Sequence, residues 1–441
     1  MDIKETKEMS NTIGRFLSYL QSTGLHSTEK FILKGKISFF ILFIAVLEII
    51  VATAFCWKQW DINVRVTALE NLNMAIGILD IAIESQLMRE KIESQLELIS
   101  SGVYLYNLAL DGIKVSIFKE KENYVRGLET KIISLTEIIE TSMHWFFIGY
   151  FMSSFCGIIV YLFNQDLNAL TLPIVFYNPF SHSPSVPFVD FKEYCIVLSI
   201  ELWYFYVSYK VTLSMGGFLF LSVDNVIREI KLFQMNLHEL NLNFNAVETG
   251  DKYSPQDYER FDKFKPVFRK ICEHHQRIFR KVKMLNEGID FIVICYNPYI
   301  CFQLCLAIFC IMKVDFLFKI KYGFAFITVL VIAFKYCELG QELENEGEKL
   351  RMSLYNSSWA GKPSWFGRSL LIMMIQSHRI PRIEAFRIIT LNRINLRLFI
   401  GELSGVRSNK EGNSVHRNSF SNDIRRSILA VLHHPSIFPE E

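Results

Sequence analysis

The 441-residue chain lacks every short motif that announces a nucleotide or catalytic site. It has no GxxxxGK(S/T) phosphate loop, no GxGxxG following a strand, no GxSxG nucleophile elbow and no HExxH zinc pair. It also lacks an excess of either charge. With 47 Lys and Arg against 45 Asp and Glu the net charge is +2, which gives no basic field for a nucleic acid. The nine cysteines include no CxxC pair, and seven of them (Cys56, Cys156, Cys195, Cys295, Cys301, Cys305, Cys310) sit inside apolar runs. Such cysteines read as small buried hydrophobes rather than metal ligands, so neither a metal nor a cofactor is expected. The opening MDIKETKEMS has no apolar h-region, which predicts that no cleavable signal peptide is present.

What the chain does have is apolar mass. Apolar residues make up 51%, 38 of them Phe, and mean hydropathy is +0.22. A soluble chain of this size would leave much of that on its surface as aggregating patches, so lipid is the simpler sink. Runs of about 20 apolar residues mark membrane-crossing helices. Ile37 to Trp57, Met143 to Phe163, Cys195 to Val223, Ile289 to Met312 and Gly323 to Cys337 qualify, with Ile99 to Phe118 as a weaker sixth. Asn73 to Ile83 is too short to span alone and reads as an interfacial or extramembrane helix. Pro298 predicts a kink in the fifth span.

Positive charge orients the set. Six Lys and Arg precede the first span, four lie in 119–141 and twelve in 224–288, against a single Lys192 in 164–194. The N-terminus is thus expected in the cytoplasm, and 164–194, with its NPFSHSPSVPF run, outside as a cap. Its His182 reads as a lone surface histidine. This orientation argues against a G-protein-coupled receptor, and Asn356, the one Asn-x-Ser/Thr sequon, should stay unglycosylated.

The cytoplasmic stretches are patterned. Val223, Val226, Ile230, Phe233, Leu237 and Leu240 alternate by three and four, as do Phe261, Phe264, Phe268, Ile271, Ile278, Val282 and Leu285, with His275 in the remaining slot. Each stripe is one face of a helix that needs burial. Spans four and five are therefore expected to continue as long packed helices joined by the loop 248–255. His274 and His275 point about 100° apart on a helix, which disfavours shared metal ligation. Within the spans, Glu201 is expected near the outer end, where snorkelling makes it cheap, with Lys210 deeper; nine residues apart, they cannot pair.

The stretch after the sixth span carries a resemblance. YCELGQELENEGEKLRMSLYNSSW places Cys337, Gly340, Leu343, Leu350, Tyr355 and Trp359 at the spacing of the C-x-x-G-x-x-L…L…Y-x-x-x-W run of insect odorant receptors. Arg368, the Leu-rich stretch to Ile375 and Gln376–Ser377–His378–Arg379 are similar to that family's next block. The match is specific over Cys337 to Arg393. It departs at Gly347 and Ser353, where Ser and Ala are usual, and at Ile380–Pro381, where Pro comes one position earlier. The resemblance implies an all-α polytopic membrane helix bundle of about seven transmembrane helices with long cytoplasmic helical extensions. It implies a non-enzymatic receptor that is a cation channel, gated by a small volatile odorant and assembled as a hetero-oligomer, a tetramer, with an olfactory co-receptor subunit. Its location would be the plasma membrane of sensory neurons. By the same resemblance Cys337, Gly340, Leu343, Leu350, Tyr355 and Trp359 belong to a subunit anchor. An odorant site would lie among Tyr104, Phe155, Ile159, Leu198, Glu201, Leu202, Phe205, Tyr206 and Phe326. A gustatory-type receptor is the alternative within the chemosensory class, and the motif after span six argues against it.

The expected layout is a cytoplasmic N-terminus (1–36), spans one to four (37–223), cytoplasmic helices (224–288), spans five and six (289–343) and an anchor helix (344–382). A degenerate seventh span (383–400) and a polar tail (401–441) follow. The seventh departs from the family pattern because Glu384, Arg387, Arg393 and Arg397 interrupt it. Each central charge costs about 2.5–3.5 kcal/mol against about 0.3–0.6 gained per large apolar residue, so insertion comes out unfavourable. A non-conducting receptor-like membrane protein, its native seventh span replaced through altered splicing or a gene-model error, is therefore the rival to a working channel.

Overall fold

The computed structural model describes residues 2–3, 7–23, 103–104, 115–165, 170, 172, 190–245, 255–313, 316–357, 362–385 and 389–390. It also describes scattered helical positions between 40 and 54, 65 and 79, and 93 and 99. Six helices are bounded: α1 (Lys7–Thr23), α2 (Val115–Asn164), α3 (Phe191–Asn245), α4 (Pro255–Lys313), α5 (Phe316–Tyr355) and α6 (Ser364–Ser377). Two antiparallel strand pairs accompany them, β1 (Asp2–Ile3) with β2 (Val103–Tyr104) and β3 (Glu384–Ala385) with β4 (Ile389–Thr390).

Length explains the architecture. At 1.5 Å per residue, α2 to α5, with 50, 55, 59 and 40 residues, are two to three times longer than the roughly 30 Å of a bilayer core requires. Each therefore has an apolar half and a polar half. Among the described residues, three helices carry a window long and apolar enough to cross a membrane, within Lys119–Asn164, Phe191–Leu242 and Lys319–Tyr355. Tyr299–Met312 of α4 is a shorter apolar run. The chain is a helical, multi-pass bundle as expected.

The polar half has its own core. Val223, Val226, Ile230, Phe233, Leu237 and Leu240 of α3 are all at 1% exposure or less, and meet Phe268, Ile271, Ile278 and Leu285 of α4. Leu343, Leu350 and Leu354 of α5 and Phe366, Leu370 and Met373 of α6 complete it. The two predicted stripes thus face each other, in helices that continue unbroken from the apolar half. Helix α2 extends in the same way, and its Ile132 and Ile139 join this core.

Three expectations are corrected. The 99–118 segment is no spanning helix: β2 interrupts it and pairs with the N-terminal β1. Ala75, with Leu72 and Leu79, packs in the apolar half against Tyr150, Tyr204 and Phe205, whereas Leu98 and Ile99 reach the core of the polar half. Asn73 to Ile83 was expected as an interfacial or extramembrane helix because it is too short to span alone; just before it, protein surrounds Glu70 at 0% exposure. Second, the expected anchor helix 344–382 is two helices, α5 ending at Tyr355 and α6 starting after Pro363. Third, the run from Ile383, expected as a degenerate span, begins as the β3–β4 pair, with Ile383 itself buried in the polar-half core. Of the other named features, His182, Trp359 and 391–441 lie outside the described residues, as does 248–254.

Candidate functional site

A cavity of about 70 Å³ opens in the apolar half, between the end of the 65–79 segment and helices α2 to α5. Gly77, Met143, Phe146, Phe147, Phe205, Ser208, Tyr209, Thr212, Tyr299, Ile300, Thr328, Val329 and Ile332 line it. The spacing explains how two helices deliver their share. On α3, positions 205, 208, 209 and 212 follow one helical face, and on α2 so do 143, 146 and 147. The wall is aromatic: the Phe147 ring sits edge-on to Phe205 at 6.3 Å, and Tyr150 lies 4.8 Å from Phe205 just beyond the lining. Glycine lets the wall close. A Cβ at Gly77 would come within 2.5 Å of the Tyr299 ring, so only glycine fits there.

Polar handles are few and neutral. Ser208, Thr212, Thr328 and Tyr209 bring hydroxyls to the lining, although Ser208 donates to the Tyr204 carbonyl at 2.7 Å and Thr328 to the Ser142 carbonyl at 3.3 Å. No lining residue carries a carboxylate or an ammonium group. Such a cavity selects by shape and desolvation, with at most a hydroxyl or carbonyl to anchor. Nothing in it has the geometry of a nucleophile beside a base.

At the edge nearest the polar half, the cavity abuts the N-terminal helix. Tyr209 packs against the His144 ring at 5.2 Å, and its neighbour Lys210 places its ammonium 3.6 Å over the Tyr19 ring of α1. Tyr19 donates to Glu140 at 2.8 Å, and Arg15 pairs with Glu140 at 3.2 Å. Phe16 is inserted where Gly217 leaves room, since a Cβ there would come within 2.5 Å of its ring. The cation–π contact is how Lys210 is accommodated.

Of the residues expected at a ligand site, Phe205 alone lines this cavity. Leu198 packs beside Tyr194 and Val197, and Phe326 against Ile300, Leu304 and Ala333. Phe155, Ile159, Leu202 and Tyr206 face outward, at 60%, 39%, 40% and 47% exposure. Glu201 is buried at 1%, inside the bundle and not snorkelling at its rim. Tyr104 is elsewhere altogether. Its backbone N–H donates to Glu229 at 3.1 Å, its ring lies 5.6 Å from that of His274, and the Arg277 guanidinium sits 5.4 Å over it, all in the polar half. Relative to this cavity the expected residues lie nearer the end of α2 and the start of α3, and four of them face outward. The signal that marks the inward face is small or hydroxylated residues (Gly77, Ser208, Thr212, Thr328) amid an otherwise uniform apolar background.

The anchor residues also divide. Leu343 and Leu350 are fully buried, and Cys337 and Gly340 are buried too, so they pack the subunit's own helices together. Tyr355 is 53% exposed, and α6 turns Leu371, Ile372 and Ile375 outward at 57%, 65% and 66%. The polar half is tied by buried charge. Glu229, at 0% exposure, receives Lys281 at 2.8 Å, His274 at 2.9 Å and Arg277 at 3.0 Å, and Arg228 pairs with Glu129 at 3.0 Å and Asp224 at 2.8 Å. His275 meets the Ser377 hydroxyl at 2.8 Å, so the adjacent histidines take separate partners on different helices. Burial, with His274 beside it, lowers the His275 pKa to about 4.

A multi-pass bundle whose longest helices run from an apolar half with an aromatic cavity into a tightly tied polar half defines a membrane receptor class. Comparison with known proteins gives the family: the family model described as 7tm odorant receptor matches residues 118–403, and the chain belongs to that family. Odorant receptor 47a of Drosophila melanogaster is 31% identical over 106 residues, which are 21% of this chain and 28% of that receptor, so the match spans little more than a quarter of the relative. Among solved structures, olfactory receptor OR5 of the insect Machilis hrabei in complex with eugenol superposes with a TM-score of 0.67 at 11% identity, covering 90% of this chain and 96% of that one. Another structure of the same receptor gives 0.64 at 12%. At such identity the likeness speaks for the fold. The resemblance carried by Cys337 to Arg393 therefore named the right family, one that is not a class of enzymes.

Proposed function

We propose that the chain is an odorant receptor subunit whose cavity between α2, α3, α4 and α5 binds small, mostly apolar volatiles and gates a cation channel formed with a co-receptor subunit. The observation that carries this reading is the cavity itself: about 70 Å³, aromatic, without charge, and walled by Thr328, Val329 and Ile332 of α5, the helix that runs on into the polar half. A ligand wedged between Phe147 or Phe205 and α5 acts directly on that helix. The likeness to a receptor solved with eugenol supports a ligand of this kind. In this reading the polar half and the N-terminus are cytoplasmic, in the plasma membrane of sensory neurons. Subunits of the hetero-tetramer meet through the outward face of α6, with Leu343 and Leu350 stiffening the helices behind it. The test is odorant-evoked current after heterologous expression with the co-receptor. The wild type conducts, and Ser208→Phe, which fills the cavity, reaches the surface but does not respond. Silence of the wild type despite normal surface assembly overturns the channel reading.

One observation favours a second reading, a receptor-like protein that does not conduct. The segment expected to start the seventh span folds as β3 and β4, and it carries Glu384 and Arg387. Binding of a volatile to the purified subunit, with no current in any co-receptor pairing, would decide for it.

A further inference from the structure

One cluster in the apolar half takes no part in the cavity. The Glu70 carboxylate, at 0% exposure, lies 3.9 Å from the Lys321 ammonium, itself at 1%. Gln303 donates to Glu70 at 3.2 Å and accepts from Asn73 at 2.7 Å. Tyr150 reaches Glu70 at 3.5 Å, and Lys321 also stands 4.0 Å over the Tyr150 ring and 5.1 Å over that of Tyr322. Four elements meet here: the 65–79 segment, α2, α4 and α5. Ionisable side chains held away from lipid are expensive, and a buried pair is poor glue compared with apolar packing, so such a pair points to a role other than stability.

The geometry at this junction suits a joint that opens. At 3.9 Å the pair is beyond hydrogen-bond range, whereas the buried pairs of the polar half, Lys281 with Glu229 and Arg228 with Glu129, are at 2.8 and 3.0 Å. Beside it, the Phe324 side chain of α5 sits directly on Gly149 of α2, where a Cβ would come within 2.6 Å of it. Lys321 is also two helical turns from Thr328, so the pair holds the same helix that lines the cavity. A polar tie beside a close helix crossing, at one end of a cavity-lining helix, is placed to fix that helix's position.

We propose that Glu70 and Lys321 form a clamp that sets the resting position of α5 against the 65–79 segment, and that α5 shifts when it parts. Release exposes what the crossing covers, and Cys310, at 0% exposure and packed with Tyr322, is the natural reporter. The test treats the full-length receptor, in membranes and without ligand, with N-ethylmaleimide, and reads modification of Cys310 by peptide mass spectrometry. Glu70→Gln and Lys321→Met should each raise the Cys310 alkylation rate on the order of tenfold, because each frees one side of the joint. The exchanged double variant, Glu70→Lys with Lys321→Glu, should return most of the way to wild type. Protection of Cys310 in both single variants overturns the clamp. So does failure of the exchange to recover protection or, where a single variant does not fold, to recover folding. Neither odorant nor current enters the measurement, so a failure of the receptor reading and a failure of the clamp are told apart.

Discussion

Replacing Gly347 with alanine in an exposed helix would normally stabilise by about 1 kcal/mol, since alanine restricts the unfolded chain and suits the helix better. Here the sign should reverse. A Cβ at position 347 of α5 would stand 2.7 Å from Cδ of Pro381, 3.0 Å from Cγ2 of Ile380 and 3.1 Å from the Pro381 nitrogen, and two of those three atoms belong to a proline ring that cannot rotate away. The strap 380–384 is fixed from both sides. Ile383 is buried at 2%, Asn286 donates to the Arg382 carbonyl at 3.2 Å, and the Glu384 N–H donates back to Asn286 at 3.3 Å. Overpacking of this kind costs about 1–3 kcal/mol, which leaves Gly347→Ala net destabilising by up to about 2 kcal/mol. Gly347→Ala combined with Pro381→Ala should recover the loss, with a coupling of about 1–2 kcal/mol in the double-mutant cycle. Apparent melting temperatures of the detergent-solubilised receptor, followed by fluorescence size-exclusion, give all four corners. A Gly347→Ala variant that melts above wild type would refute the reasoning. The two positions are also where the chain leaves the family pattern, with Gly for the usual Ser and Pro displaced by one.

Further outcomes follow from the same contacts. Glu229→Gln leaves Lys281, His274 and Arg277 around a neutral amide in a dry site, at a cost of about 3–5 kcal/mol, so the monodisperse yield should collapse; wild-type melting would contradict this. His275 has a folded pKa of about 4 against an ordinary 6.5, so the unfolded chain takes up its proton first as pH falls. Its contribution is complete above about pH 6.5 and is lost toward pH 4, reaching roughly 3 kcal/mol there. The measurement is a melting series from pH 7 to 5, which His275→Gln should flatten; an unchanged slope in that variant would exclude His275 as the cause. In ligand dose–response, Phe205→Ala should move the midpoint by about tenfold or more, and Phe155→Ala by less than about twofold, because the first lines the cavity and the second faces outward; the reverse order would place the site where the sequence first suggested.

The Glu70 segment shows best where sequence reading stopped. The run from Asn73 was judged on its own length, which carries no knowledge of neighbours. Glu70 is admitted because Lys321, Gln303 and Tyr150, 80 to 251 positions further along the chain, are brought to it. Tyr104 was misplaced because Ile99 to Phe118 was taken as a sixth span, and the pairing of Val103 with Ile3 could not be seen. On α2, Trp145, Ile148, Met152, Phe155 and Ile159 form an outward face as apolar as the inward one of Met143, Phe146, Phe147 and Tyr150. Against lipid and against protein the same side chains serve, so periodicity alone cannot say which face is which.

By itself the sequence determined the properties that depend on local order. These are apolar runs of membrane length, two stripes that had to be buried against each other, and a Cys337 to Arg393 stretch that identified the family. Tertiary structure decided everything set by distant residues meeting: which segment packs beside Tyr150, where the cavity lies along α2 and α3, why Gly347 faces Pro381, and which charges stand buried together. Helix formation is a matter of neighbours within four residues. Helix facing is a matter of partners hundreds of residues away, and in a chain bathed on one side by lipid no polar stripe remains to announce it.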